Sequence, residues 1–290
     1  MFIPRKILEE KLRTMLAEDI GEGDVTTSLI VPPETKAEVE VISKEAGTVA
    51  GIEEAEILSE SLGLTARTNI KDGDKVKPGQ ILLKIEGSAR TILAVERTLL
   101  NIVSRMSGIA TATANMVDRI RKAGAQTRIA CTRKTAPGLL YFDKKAVLMG
   151  GGDPHRLHLD DMILIKDNHI AIAGNVERAV KKAKEGASFS KKIEVELTST
   201  EEILPAVRAG ADVIMLDNFS PKQVGKAVAL LEDKKLRERV LLEASGGINE
   251  RNLLEFASKG VDIISIGMIT NSAKALDMNL EIRNFAKKRN

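Results

Sequence analysis

At 290 residues the chain is longer than one hydrophobic core usually serves, and its 43% hydrophobic and 29% charged residues are those of a soluble globular protein. No apolar run approaches the ~20 residues of a membrane span, and a single cysteine, Cys131, excludes an intramolecular disulfide or a cysteine-rich zinc site. The net charge of +3 is spread among alternating acids and bases, and with no Trp, one Tyr and six Phe the chain lacks a base-stacking set. Neither a nucleic acid nor a membrane is therefore an expected partner.

In chain order, Ile7, Leu8, Leu12, Met15 and Leu16 recur at helical spacing with charges between them, unlike the unbroken apolar centre of a secretion signal. With one cysteine, this favours a cytoplasmic protein. Ala37 to Ile42 alternates as a half-buried strand, and Ile81 to Ile85 follows turns at Asp72-Gly73 and Pro78-Gly79. Leu93 to Ala114 has helical periodicity and no proline, so it bridges a small mixed α/β domain (1–110) to a second, larger region.

From about Thr127 short apolar runs alternate with helical stretches. The runs Arg128 to Thr132, Met162 to Ile165, Ile193 to Leu197, Val213 to Leu216, Val240 to Ala244 and Ile263 to Ile266 read as parallel strands. Strand-helix alternation alone allows either a barrel or an open doubly wound sheet. Six strands fall short of eight, so a barrel here is incomplete or has a further strand near Leu139 to Leu148. The expected catalytic domain is 111–275, with 276–290 as a C-terminal helix.

Both architectures bind ligands at the strand C-termini, so the residue after each run is the informative one. These are Arg133 and Lys134, Lys166 and Asp167, Glu196, Asp217, Ser245-Gly246-Gly247, and Gly267. Glycines after the last two strands suit a phosphate held by backbone N–H groups, although glycines in either loop alone could merely turn the chain. Arg133, Lys134, His155, Arg156 and Lys166 suit an anion with several negative groups. His158 and His169 are open to two readings, packed residue or catalyst. Glu196 and Asp217 end otherwise apolar runs and must meet a cation, a metal or a donor; beside phosphate they suggest magnesium, and ion pairs with Lys166 or Arg133 are the alternative.

Glu96-Arg97-Thr98-Leu99-Leu100-Asn101, Ser107-Gly108-Ile109-Ala110-Thr111, Thr132-Arg133-Lys134-Thr135, His155-Arg156-Leu157, Ile165-Lys166-Asp167-Asn168-His169, Glu194-Val195-Glu196, Leu216-Asp217-Asn218-Phe219 and Ser245-Gly246-Gly247 together resemble quinolinate phosphoribosyltransferase, also called nicotinate-nucleotide pyrophosphorylase (carboxylating). The likeness runs from near Glu18 to near Leu276. It implies an N-terminal mixed α/β domain followed by an incomplete α/β barrel of the type II phosphoribosyltransferases. It also implies transfer of the phosphoribosyl group of phosphoribosyl pyrophosphate to quinolinate with loss of CO2, in NAD biosynthesis.

Position by position, the resemblance gives Arg97, Arg133, His155, Arg156 and Lys166 as the dicarboxylate pocket, and Lys134 and Lys166 as partners of the phosphates. Glu196 and Asp217 correspond to acids that engage the ribose hydroxyls and Mg2+, and Ser245, Gly246, Gly247 and Gly267 to the holders of the 5′-phosphate. A homodimer is implied, in which Arg97 completes the partner's site. Two positions depart from the family pattern: Pro154 stands where Asn is usual before the His-Arg pair, and Asn271 where His is usual between Thr270 and Ser272. The competing readings are a nicotinate phosphoribosyltransferase, a molybdenum-transport-associated relative, and a noncatalytic phosphate-binding barrel.

Overall fold

The computed structural model describes residues 3–286, which fall into two compact units. Among the described residues, one comprises 3–114, 141–151 and 273–286, and the other 115–140 and 152–272. No described helix is long and apolar enough to cross a membrane.

The first unit begins with α1 (Arg5–Ile20), which buries Leu8, Leu12 and Leu16 at i, i+4, i+8, and continues into α2 (Val25–Ile30), capped by the Asp24 carboxylate. β1 (Lys36–Ser43), the short β2 (Gly47–Thr48), α3 (Ile52–Ser61), β3 (Thr65–Arg67), the short β4 (Lys75–Val76) and β5 (Ile81–Ser88) come next. The 34-residue α4 (Ala89–Lys122) starts in this unit and ends in the other, its last turn carrying Arg119, Arg121 and Lys122 against the negative helix end. It is longer at both ends than the predicted bridging helix. Gly108 on α4 is obligatory, since a Cβ there would lie 2.1 Å from the Lys274 carbonyl oxygen.

After α4 come β6 (Arg128–Cys131), α5 (Leu140–Met149), β7 (Ile163–Ile165), α6 (Asp167–Ala173), α7 (Val176–Gly186) and β8 (Ile193–Leu197). They continue with α8 (Ile203–Ala209), β9 (Val213–Asp217), α9 (Pro221–Asp233), β10 (Leu241–Ser245), α10 (Leu253–Ala257), β11 (Ile263–Ile266), α11 (Met268–Asn271) and β12 (Met278–Ala286).

Two expectations are corrected. Residues 278–286, placed in a C-terminal helix, form β12, which pairs antiparallel with β1 along its full length in the sheet β12-β1-β5-β3. Without β12, the outer edge of β1 would leave its backbone groups without strand partners, a demand invisible in the local sequence of 278–286. The run Leu139 to Leu148, offered as a further strand, lies in α5 from Leu140 onward, and α5 from Tyr141 belongs to the first unit. Its Asp143 and Lys145 are buried because distant partners meet them: Arg105 holds Asp143 through two bonds of 2.7 and 2.8 Å, and Lys145 reaches Glu54 at 2.8 Å.

The six predicted parallel strands are all present, in the order β6-β11-β10-β9-β8-β7. The first strand, β6, pairs with the last, β11, and β6 and β7 stand at the two unpaired ends of the sheet. This is an incomplete barrel, open between its first two strands. Beside the free edge of β6 lies a single parallel bridge, Ala130 to Asp153, made by the Cys131 N–H to the Asp153 carbonyl and the Asp153 N–H to the Ile129 carbonyl. That bridge sets the start of the His155-Arg156 segment.

Candidate active site

Parallel strands turn alternate side chains to one face, so residues two apart along a strand share that face. At the C-terminal mouth of the barrel this produces pairs: Cys131 and Arg133, Leu164 and Lys166, Met215 and Asp217, Glu243 and Ser245, Ser265 and Gly267 all line one cavity of about 1020 Å³. Lys134, His155, Arg156, Glu196, Gly246, Gly247 and Asn271 line it too. Every site residue expected from the sequence is thus brought together, with one exception. Arg97 lies exposed on α4 in the first unit and is not among the lining residues.

Lys134 is held by its backbone. Its N–H donates to Thr132 Oγ1 (3.1 Å), and its carbonyl accepts from the buried Thr270 hydroxyl (2.8 Å). Gly267 allows the approach, since a Cβ there would sit 3.2 Å from Lys134 Cδ. Lys166, just before α6, donates from Nζ to Glu196 Oε2 at 2.6 Å, so the ion-pair reading of Glu196 holds within the chain itself. Its backbone N–H donates to His169 Nδ1 at 2.9 Å, which makes His169 a local brace. His158 is exposed, gives its backbone N–H to Asp161, and lies outside the cavity lining.

Asp217 ends β9 with its carboxyl held above the ordinary range, first by burial and then by repulsion from Glu196, against the opposing pull of Asn218, Lys166 and Lys134. Asn218 donates from Nδ2 to Asp217 Oδ2 (2.7 Å) and from its backbone N–H to the Ser245 carbonyl (2.8 Å), in a left-handed conformation at φ 57°. Gly246, at φ 91°, packs against it, and a Cβ would fall 2.3 Å from Asn218 Oδ1. Asn218 therefore ties the acid to the glycine loop. Two carboxylates facing each other beside lysines form a hard-oxygen donor set that fits magnesium shared with phosphate oxygens.

A second charge group forms at His155 and Arg156. Burial pushes the Arg156 guanidinium below its ordinary pKa, and the nearby Arg133 adds to this. His155 has φ 54°, and its backbone N–H donates to Asp153 Oδ1 at 2.7 Å. Its Nε2 faces two fully buried carboxylates, Glu243 at 3.2 Å and Glu194 at 3.4 Å. Burial opposes a charged ring, but these two acids outweigh it and hold the His155 pKa up to about 10. Nδ1, however, accepts the Arg156 backbone N–H at 2.8 Å, which a protonated Nδ1 could not do. Local geometry decides between them. Burial also raises the Glu194 pKa, which favours a proton on the carboxyl side of the group.

Glu194, Glu243 and Asn218 had been given no role from the sequence. The signal for the two glutamates was strand alternation, since each stands two residues before a mouth residue, Glu196 or Ser245.

Residues 24–107 match the family profile described as quinolinate phosphoribosyl transferase, N-terminal domain, and 109–281 match its C-terminal domain. A Methanothermobacter thermautotrophicus protein described as a "probable nicotinate-nucleotide pyrophosphorylase (carboxylating)" is 46% identical over 272 residues, 94% of this chain and 98% of the relative. The human nicotinate-nucleotide pyrophosphorylase (carboxylating) is 39% identical over 245 residues, 84% of this chain and 81% of its own. Among solved structures, the nicotinate-nucleotide pyrophosphorylase of Francisella tularensis superposes with a TM-score of 0.89 at 37% identity, covering 97% of this chain and 98% of that one.

Proposed function

The chain belongs to the quinolinate phosphoribosyltransferase family, and from that premise we propose how its own residues transfer the phosphoribosyl group to quinolinate, releasing pyrophosphate and CO2 and leaving nicotinate mononucleotide. The observation that carries the reading is the division of one cavity into two charge groups. Arg133 and Arg156 lie close enough to perturb each other, while Lys134, Lys166, Glu196 and Asp217 form the other set. Paired guanidinium forks suit the two carboxylates of the pyridine, and lysines beside carboxylates suit a phosphorylated sugar.

Lys134 and Lys166 take the phosphates of phosphoribosyl pyrophosphate, and Ser245, Gly246, Gly247 and Gly267 take the 5′-phosphate. Glu196 and Asp217 engage the ribose hydroxyls, and they would hold magnesium through water or substrate oxygens. As the bond from ribose C1′ to the leaving oxygen lengthens, positive charge grows on the sugar and negative charge on the pyrophosphate, where the lysines meet it. Magnesium, when bound, adds charge at the same oxygens. The pyridine nitrogen attacks C1′ and becomes quaternary. The C2–carboxylate bond then breaks and CO2 leaves, the electron pair remaining on C2 beside the cationic nitrogen until C2 takes a proton from water, while arginine keeps the other carboxylate in place. Both nitrogens of His155 are engaged inside the protein, so this residue serves as a wall of the dicarboxylate pocket.

The active form is a homodimer in which Arg97 completes the pocket of the partner subunit. Supporting this, Arg97 is exposed and makes no hydrogen bond or ion pair among the described residues, and α2 leaves Val25, Leu29 and Ile30 exposed for a symmetric contact to cover. A cytoplasmic location is supported by the single, buried thiol of Cys131.

The test is an assay with quinolinate labelled at its 2-carboxylate. Label should leave as CO2 in step with nucleotide formation, only when phosphoribosyl pyrophosphate is present, and nicotinate should give no nucleotide. Turnover of nicotinate would select the nicotinate enzyme instead, and binding without turnover the noncatalytic barrel. Arg156→Lys keeps the charge and loses the fork. Affinity for quinolinate should fall about tenfold while that for phosphoribosyl pyrophosphate stays within about twofold, as read by titration calorimetry. Equal losses for both ligands count against the division into two groups.

A further inference from the structure

Glu194 on β8 and Glu243 on β10 are fully buried, and β9 separates their strands in the sheet. Neither Glu194 oxygen has a hydrogen bond, nor does Glu243 Oε1. Carboxylates left so poorly satisfied in an interior are costly, and apolar side chains of similar volume would serve stability as well or better. As anions they would also repel a dicarboxylate. Their placement needs another reason, and the geometry supplies it: both point at Nε2 of one ring, His155, at 3.4 and 3.2 Å.

The other face of that ring is the link outward. Nδ1 accepts the Arg156 backbone N–H at 2.8 Å, and the His155 backbone, in its left-handed turn, is closed by Asp153 Oδ1 at 2.7 Å. Asp153 is in turn bridged to β6. The Arg156 backbone is thereby fixed from the barrel interior through the ring and from β6 through Asp153.

We propose that Glu194 and Glu243 are positioning residues, acting through the His155 ring to set Arg156 for a substrate carboxylate. The inference rests on Arg156 being the clamp described above. It requires His155 to be the neutral Nε2–H tautomer, with Nε2 donating to Glu243, Glu194 standing 3.4 Å from the same nitrogen, and Nδ1 accepting from Arg156. An amide oxygen in place of a carboxylate can accept the same Nε2–H, whereas a hydrocarbon cannot.

Glu243→Leu and Glu243→Gln are compared with the unaltered enzyme. Glu243→Leu should raise the KM for quinolinate by about tenfold or more, with the KM for phosphoribosyl pyrophosphate within about twofold, and Glu243→Gln should lie within about threefold of the unaltered enzyme for both. Proportional changes in both KM values, an unchanged quinolinate KM in Glu243→Leu, or a Gln variant as impaired as the Leu variant would overturn the proposal. A second measurement does not depend on the variants folding. The full chain has three histidines, so its imidazole 15N spectrum near pH 7 can be assigned, and His155 should show a protonated Nε2 and an unprotonated Nδ1. A ring protonated at both nitrogens, or a stoichiometric metal ion on Nε2 in the purified protein, would overturn it. Because this spectrum needs no substrate, failure of the positioning role is separable from failure to turn over quinolinate.

Discussion

Lys134→Ala is expected to lower turnover by about 10²–10³-fold while shifting the thermal midpoint by no more than about 2 °C. The two effects separate because different parts of the residue carry them. Thr132 and Thr270 hold its backbone, and alanine keeps both of those bonds. The exposed ammonium contributes little to folding, as surface charges usually do. It does contribute field inside the cavity, since it is one of the two lysines that draw down the Asp217 pKa. In our assignment this field acts on the oxygen from which the ribose is leaving, where charge appears only in the transition state. Turnover near that of the unaltered enzyme, with magnesium supplied, would take Lys134 out of the mechanism.

Arg97→Ala should be as severe in a homodimer, yet be relieved by mixing. In the proposed shared site, an Arg97→Ala chain would keep an intact barrel but could not complete its partner's pocket, and a Lys134→Ala chain would have the reverse defect. In a mixed dimer one pocket carries both defects and the other carries neither. With random pairing half the dimers are mixed and each has one working site, so subunit exchange should restore about a quarter of the unaltered activity. Sites completed within one chain would recover nothing. Exchange is verified by mass spectrometry, and absence of recovery after verified exchange would falsify the shared site.

The outcome at His155 bears on how the pocket's charge is counted. In the chain alone, a histidine next to an arginine adds a cation to an anion site. With Glu194 and Glu243 beneath it and the Arg156 N–H on its other nitrogen, it adds rigidity. In the proposed assignment the positive charge facing quinolinate would then rest on Arg133, Arg156 and Lys166, together with the partner's Arg97. This places a larger burden on the arginine forks.

By itself the sequence determined the repeating strand-helix pattern, the six parallel strands and the mouth residues Arg133, Lys134, Lys166, Glu196, Asp217, Ser245 and Gly267. Those features are local: a short apolar run makes a buried strand, and the chain places its polar residues where the strand stops. Alternation even held the clue to Glu194 and Glu243, two residues below the mouth. Only the tertiary structure decided what those glutamates face, because their common partner, His155, is 39 and 88 positions away. The same holds for α5, where buried Asp143 and Lys145 are tolerated only because Arg105 and Glu54 reach them. It holds for β12 as well, whose helix-or-strand choice was settled by the free edge of β1, more than 200 residues earlier. Backbone pairing and buried charge are satisfied by whatever the fold brings near, so their energies belong to pairs of distant residues, and a local pattern carries only one member of each pair.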